Sequence, residues 1–168
     1  MTVVRAALPA DVPALTDIYN HYVRTSGVTF DTTEFTTQQR QEWFSHYATT
    51  GPHRLLVAVD SGSAGMVLGY ATSSPFRPKP GYVTSVETSV YLRPDAIGRG
   101  LGTLLYRAIF DALAGQDLHR AYAGVALPND ASVRLHERLG FREIGTFAEV
   151  GRKFGRYWDV LWFERSLP

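Results

Sequence analysis

The chain contains no cysteine. This absence excludes disulfide bonds, thiolate metal ligands and cysteine nucleophiles, and it fits a reducing compartment. The sequence also lacks any run of about 18 apolar residues, so we expect no membrane partner and no membrane-spanning helix. The first residues, Met1 to Arg5, show neither the basic start nor the sustained apolar stretch of a secretory signal. The expected location is therefore the cytoplasm.

The positive and negative charges of the chain nearly balance. Lys and Arg total 17, Asp and Glu total 16, and the formal net charge is +1. Without a basic tail, non-specific nucleic-acid binding has little electrostatic support. Arg152, Lys153 and Arg156 form one local cluster, which we interpret as a solvated rim. The five His residues are scattered without ligand spacing, so we predict no metal site.

The hydrophobic pattern predicts a mixed α/β fold in a single domain, residues 1–168. Its elements follow the order β-α-α-β-β-β-α-β-α-β-β, which favours one mixed sheet with helices on both faces. The predicted strands span residues 2–6, 55–59, 66–72, 82–92, 121–127, 141–149 and 157–164. The predicted helices span residues 11–25, 103–113 and about 129–140, with another from Thr36 or Thr37 to Gly51.

A glycine-rich loop joins the third predicted strand to a strongly amphipathic helix. It consists of Gly98, Arg99, Gly100, Leu101, Gly102 and Thr103. Glycines allow close approach of an anion, and the N–H groups of the following helix end attract phosphate. No Lys-Ser/Thr pair follows, which excludes the nucleoside-triphosphate loop. The last glycine comes one position too early for the dinucleotide fingerprint.

A second motif runs from Asn129 to Phe141, NDASVRLHERLGF. Together with RPDAIGRGLGTLL, which runs from Arg93 to Leu105, it resembles the signatures of the GNAT superfamily of N-acetyltransferases. Over nearly its whole length, the chain resembles the phosphinothricin/methionine-sulfoximine N-acetyltransferase group. The matching segments are residues 18–23, 28–32, 86–92 and 127–130, with Gly151, Lys153, Gly155, Trp158, Asp159 and Val160 near the C-terminus.

Two positions depart from the superfamily pattern. Ile97 stands where the superfamily usually has Gln or Arg; we expect this change to be tolerated, because backbone N–H groups supply most phosphate contacts. His136 stands where the superfamily usually has Tyr, seven residues after Asn129, as it does in the phosphinothricin group.

The resemblance implies a GNAT fold with a mostly antiparallel sheet of about six to seven strands. It also implies acetyl-CoA as co-substrate, the amine of a small amino-acid analogue as acceptor, and a homodimer. The glycine loop would hold the pyrophosphate, the backbone of Val90, Tyr91 and Leu92 would bind the pantetheine arm, and Asn129 with Ser132 would complete the cofactor site. Asn129 also fits a purely structural role as a helix N-cap.

Glu87 is the candidate general base. It interrupts an apolar and hydroxyl-bearing strand, where a charge is unexpected unless it is paired or lines a cleft. An outward-facing strand Glu is the competing interpretation. Burial would raise its pKa toward the range that suits a base near neutral pH.

The sequence indicates the proton donor and the acceptor site less clearly. His136 is the candidate donor to the leaving thiol, although a structural histidine fits too, and Tyr106 is an alternative whose spacing favours core packing. The subgroup resemblance assigns Phe30, Arg77 and Tyr82 to the acceptor site. Arg77 could clamp a carboxylate or phosphinate, or be a surface arginine of a Pro-rich loop. We interpret Trp43, Trp158 and Trp162 as core or dimer contacts.

Two other functions remain open at the level of sequence. The acceptor could be a different amine, such as a protein N-terminus, a polyamine or an aminoglycoside. The sequence shows no acidic cluster of the kind that an aminoglycoside would favour. The chain could instead be a catalytically silent acyl-CoA-binding module, against which Glu87 argues.

Overall fold

The computed structural model describes residues 1–62 and 65–168. The strands are β1 (Thr2–Ala6), β2 (Arg54–Asp60), β3 (Met66–Pro75), β4 (Ser85–Leu92), β5 (Arg120–Ala126), β6 (Arg142–Lys153) and β7 (Arg156–Ser166). The helices are α1 (Val12–Thr25), α2 (Thr37–Phe44), α3 (Leu101–Leu113) and α4 (Asp130–Arg138). Within these described ranges, no helix is long and apolar enough to cross a membrane.

The seven strands form one sheet in the order β1-β2-β3-β4-β5-β7-β6. Every neighbouring pair is antiparallel except β4 with β5, which run parallel. The parallel pair is joined through α3, as a crossover connection requires. The predicted element order and the mixed, mostly antiparallel sheet are therefore confirmed.

Both faces of the sheet are covered by helices. The apolar residues of β2 contribute to the hydrophobic core on each face. Leu56 and Ala58 pack on the side of α3, in a cluster that includes Leu105 and Ile109. Leu55, Val57 and Val59 pack on the opposite side with α1, in a cluster that includes Leu15 and Ile18. Because successive strand residues point to opposite faces, a continuous apolar run is what a strand buried on both sides needs.

Several element bounds differ from the predicted ones for local reasons. A 3₁₀ turn over Pro80–Tyr82 delays β4 to Ser85. Helix α3 begins at Leu101, two residues early, because Gly100 serves as its N-cap in the left-handed conformation, with φ of 77°. Thr36 caps α2 as expected, but the helix ends at Phe44, well before Gly51.

The C-terminal hairpin of β6 and β7 is longer than predicted, and one of its residues corrects the sequence interpretation. Strand β6 continues to Lys153 and β7 begins at Arg156. Arg152 and Arg156 are exposed, but Lys153 is only 4% exposed. The proposed solvated rim is therefore wrong for Lys153, whose ammonium group lies inside the protein.

At Gly69, β3 lies so close to β4 that no room is left for a side chain. A Cβ atom there would lie 2.5 Å from Leu92 Cδ2 and 2.7 Å from the Tyr91 carbonyl oxygen. Because backbone cannot yield as a flexible side chain can, we expect Gly69→Ala to lower the free energy of unfolding by about 1–3 kcal/mol. Gly81→Ala is the matched control, since no heavy atom lies within 4 Å of its added Cβ. Equal urea-denaturation midpoints for the two variants would contradict the expectation.

Candidate active site

Strand β4 loses its partner on one side halfway along its length. It pairs with β5 only over Ser85–Glu87, whereas its pairing with β3 continues to Leu92. The Thr84 carbonyl accepts hydrogen bonds from the β5 side, whereas the Arg93 N–H donates a hydrogen bond to the Leu68 carbonyl on β3. Because backbone groups alternate sides along a strand, the N–H and C=O groups of Val90 and the N–H group of Leu92 face the open side, whereas the Leu92 carbonyl accepts a hydrogen bond from the Tyr22 hydroxyl at 2.6 Å. This edge can pair with an extended ligand that carries amide groups.

The opening between β4 and β5 leads into a cavity of about 1090 Å³. Most of the site residues predicted from the sequence line it together, although they come from four separate segments of the chain. These residues are Phe30, Glu87, Val90, Tyr91, Leu92, Gly98, Gly100, Leu101, Gly102, Thr103, Asn129, Ser132 and His136. Arg99, Arg77 and Tyr82 are not among the lining residues.

The glycine loop forms one end of the cavity. Gly98 and Gly100 have φ of 82° and 77°, which disfavours any residue with a side chain. Gly102 lies in the first turn of α3, where an added Cβ would lie 3.0 Å from Leu135 of α4. The loop therefore brings the unpaired N–H groups of the α3 N-terminus to the cavity, in the arrangement that binds phosphate. These residues and the open edge of β4 fit a pyrophosphate attached to an amide-containing arm.

Asn129 is the N-cap of α4 and lies in the cavity wall. Its side-chain oxygen accepts a hydrogen bond from the Ser132 N–H at 3.2 Å, so the N-cap interpretation is confirmed. The Asn129 side chain thus satisfies one free N–H of α4 while the residue lines the cavity.

Glu87 is half-buried and lines the cavity at the point where β4 and β5 diverge. Burial raises the pKa of its carboxyl group, and the Arg77 guanidinium partly opposes this rise. Arg77 is exposed, and its guanidinium carbon lies 4.6 Å from the Phe76 ring centroid. The Phe76 ring stacks on Tyr122 at 4.3 Å and meets Tyr82 edge-on at 5.8 Å. Phe76 thus contacts Tyr122, Tyr82 and Arg77, and of these Arg77 acts electrostatically on Glu87.

His136 is 3% exposed and makes hydrogen bonds through both ring nitrogens. Nδ1 lies 2.7 Å from the Ser132 carbonyl oxygen, and Nε2 lies 2.9 Å from the Tyr106 hydroxyl. Because a carbonyl only accepts, Nδ1 carries the hydrogen. Burial lowers the pKa of His136, although the Ser132 contact opposes this, so the ring is neutral and Nε2 accepts from Tyr106. Tyr106 also lines the cavity.

Several cavity residues were not identified from the sequence. They include Tyr22, Val28, Gly124, Phe147, Val150, Val160 and Trp162. Trp162 was interpreted as a core or dimer contact, but it lines the cavity wall over Gly124, where an added Cβ would lie 3.3 Å from the indole. Among the described residues, its buried Nε1 has no hydrogen-bond partner. Only the strand register, which places Gly124 opposite Trp162, reveals this relationship.

Comparison with known proteins gives a consistent result. The model of the acetyltransferase (GNAT) family matches residues 15–141. The chain is 60% identical over 164 residues to a phosphinothricin N-acetyltransferase of Streptomyces coelicolor, covering 98% of this chain and 95% of that protein. It is 40% identical over 164 residues to an L-methionine sulfoximine/L-methionine sulfone acetyltransferase of Pseudomonas aeruginosa, covering 98% and 94%.

A solved structure of a related protein has the same fold. The crystal structure of a phosphinothricin acetyltransferase from Sinorhizobium meliloti in complex with acetyl-CoA superimposes with a TM-score of 0.92 at 31% identity. The match covers 99% of this chain and 88% of that one.

The tautomer of His136 can be measured directly. We expect ¹⁵N NMR to show hydrogen on Nδ1 and a free-base Nε2, with a pKa below the ordinary 6.5 of histidine. Because the folded pKa is lowered, protonation of His136 opposes folding, and this effect grows as the pH falls below the unfolded value. Tyr106→Phe, which removes the hydroxyl and keeps the ring, should shift the Nε2 resonance. An Nε2–H tautomer in the wild-type protein would refute the assignment.

Proposed function

The chain belongs to the GNAT acetyltransferase family, and from this premise we propose that it acetylates the primary α-amine of a small amino-acid analogue. The proposed acceptors are of the phosphinothricin, methionine sulfoximine and methionine sulfone type, as the names of the relatives suggest. Acetyl-CoA would supply the acetyl group as an activated thioester. The observation that carries the proposal is the single cavity that joins the glycine loop and the open β4 edge to Glu87.

We place the pyrophosphate of acetyl-CoA on the glycine loop and its pantetheine arm along Val90 and Leu92. The free N–H groups on this edge can also polarise a thioester carbonyl. Asn129 and Ser132, at the start of α4, line the same part of the cavity. The arm would enter as an added strand in the gap that β5 leaves.

In the proposed reaction, the amine attacks the thioester directly while both substrates are bound. An alkylammonium must first lose a proton, which Glu87 accepts directly or through a water. The C–N bond then forms, the C–S bond breaks, and the thiolate leaves. The nitrogen releases its second proton as it becomes an amide, and this proton balances the one that the thiolate takes up. The raised pKa of Glu87 makes its carboxylate a better proton acceptor than an exposed glutamate.

The leaving thiolate needs a proton, and we assign the proton route to His136 and Tyr106. Both nitrogens of His136 are engaged, so the group of this pair that can turn toward the sulfur is the Tyr106 hydroxyl. In this role His136 orients the hydroxyl and accepts its hydrogen bond in the resting state.

We assign acceptor binding to Phe30 in the cavity wall and to Arg77 and Tyr82, which lie outside the cavity lining, against Phe76. Phe30 supplies an apolar wall inside the cavity. Arg77 lies close enough to Glu87 to lower its pKa, so its guanidinium can pair with the carboxylate or phosphinate of an acceptor whose amine faces Glu87.

We also propose a homodimer formed through β6, the last strand of the sheet. Its exposed side chains include Ile144, Phe147 and Val150, which are 51%, 53% and 55% exposed. A long edge strand with apolar side chains is a surface that proteins usually cover.

The activity is tested by following thiol release from acetyl-CoA with a panel of amines. The panel contains phosphinothricin, methionine sulfoximine, methionine sulfone, a peptide, spermidine and an aminoglycoside. We expect turnover of the first three, and Glu87→Gln should lower kcat by about 10²–10⁴-fold because the base is lost. In the wild type, kcat/KM should fall as the pH falls through the raised pKa of Glu87.

The controls separate binding from chemistry. Glu87→Gln should bind acetyl-CoA as the wild type does, because the proposed cofactor contacts lie elsewhere. No turnover of the three amino-acid analogues, despite measurable acetyl-CoA binding, would refute the acceptor assignment. A Glu87→Gln enzyme of normal rate would refute the base.

The dimer is tested by Ile144→Glu, which places a charge on the exposed face of β6. We expect sedimentation to change from a dimer to a monomer, because an unpaired charge in an apolar interface is costly. Leu104→Glu is the control, since Leu104 is an exposed apolar residue on α3. A monomeric wild type, or a dimer that both variants retain, would contradict the proposed interface.

A further inference from the structure

Lys153 ties the β6–β7 hairpin to the segment that follows α1. Its Nζ lies 2.8 Å from the Ser26 carbonyl oxygen, 2.8 Å from that of Thr29 and 3.4 Å from that of Tyr22. An ammonium group has three hydrogens to donate, and three carbonyls are present. This one side chain therefore joins parts of the chain that are more than 120 residues apart.

The position of Lys153 explains how a lysine can be buried there. The Tyr22 and Ser26 carbonyls belong to the C-terminal end of α1, where the helix dipole is negative. Burial lowers the pKa of Lys153, and the nearby Asp31 carboxylate opposes this. The contacts compensate for lost hydration, and losing them would deprive the Ser26 and Thr29 carbonyls of the Lys153 donor, whereas the Tyr22 carbonyl keeps the Ser26 N–H.

Two glycines allow the β6–β7 hairpin to pack closely against the segment that follows α1. An added Cβ on Gly27 would lie 2.6 Å from the Trp158 ring, and one on Gly151 would lie 2.2 Å from the Phe30 ring. Trp158 also donates from Nε1 to the Lys153 carbonyl at 2.9 Å. We call Gly151, Lys153 and Trp158, with the segment 26–30 that they contact, the hairpin clasp.

The hairpin clasp ends at a cavity residue. Phe30 lies against Gly151 and lines the cavity that contains Glu87. Val28 of the clasped segment and Val150, next to Gly151 on the hairpin, line the same cavity. The glycine loop belongs to a different part of the chain. Among the described residues, Lys153 makes no hydrogen bond to it.

We propose that Lys153 and Gly151 are positioning residues that set the acceptor site by fixing Phe30. This proposal rests on the proposed function, because it assigns the Phe30 end of the cavity to the acceptor. The C-terminal hairpin thus controls acceptor binding, whereas acetyl-CoA binding depends on the glycine loop and β4.

The first test is Lys153→Met, which keeps the length of the side chain and removes its donors. We expect the acceptor KM to rise by about tenfold or more, because the wall of the site is displaced. The Kd for acetyl-CoA should stay within about twofold, because the proposed cofactor contacts are mainly backbone groups of the glycine loop and β4, which Lys153 does not touch. Arg152→Met is the matched control at the neighbouring exposed position, and it should leave both constants unchanged.

The second test compares two glycines of β6. Gly151→Ala must displace Phe30, whereas Gly145→Ala adds a Cβ with no heavy atom within 4 Å. Only the former should raise the acceptor KM. This pair decides the proposal if Lys153→Met fails to fold. Unchanged acceptor KM values in folded Lys153→Met and Gly151→Ala enzymes would overturn it.

Hydrogen exchange separates this proposal from the proposed function. We expect Lys153→Met, unlike Arg152→Met, to speed amide exchange in residues 26–31, whichever amine is the acceptor. If the wild type acetylates none of the panel amines, the proposed function fails while the exchange still tests the clasp. Unchanged exchange in an otherwise active enzyme would refute the clasp alone.

Discussion

The structure depends on the divergence of two parallel strands. β4 and β5 share three registered residue pairs and then separate, while each continues on its other side, β4 with β3 and β5 with β7. A strand edge inside a sheet normally satisfies its backbone groups with a neighbour. Here the groups of Val90 and Leu92 have no strand beside them, although outer strands hold both sides rigidly in place. The sheet thus provides an interior edge for a ligand while the fold keeps its ordinary hydrogen bonding elsewhere.

The same divergence determines where the other site residues lie. Glu87 is the last registered residue of β4, so its carboxyl group stands where the gap opens. Helix α3 must cross from β4 back to β5, which brings its glycine-bounded N-terminus to the mouth of that gap. Helix α4 follows β5 and places His136 behind Tyr106, against the ring of Phe163. The glycine loop, a strand edge without a neighbouring strand and a half-buried carboxyl group therefore meet as consequences of one topology.

The residues that line this half of the cavity could be identified from the sequence because their signals are local. The glycine loop, the Asn129 cap and the isolated Glu87 each stand out within a few residues, and the order of elements is readable from periodicity. The acceptor half depends on long-range register. Nothing near Lys153 in the sequence distinguishes a buried ammonium from an exposed one, because its partners are carbonyls of residues 22–29. Trp162 likewise becomes a cavity residue only through its position opposite Gly124.

This difference has a physical consequence for specificity. The proposed cofactor half would use mainly backbone groups, whose positions many side-chain substitutions leave unchanged. The proposed acceptor half would be built from side chains of three distant segments, the loop around Phe30, the loop around Arg77 and the β6–β7 hairpin. Each can be displaced by one substitution in a contacting partner, as the tight fit of Phe30 on Gly151 illustrates. If the proposed acceptor site is correct, this chain can change its acceptor through residues that touch neither acetyl-CoA nor Glu87, and residues of the hairpin would contribute to substrate choice although they lie far from the signature motifs.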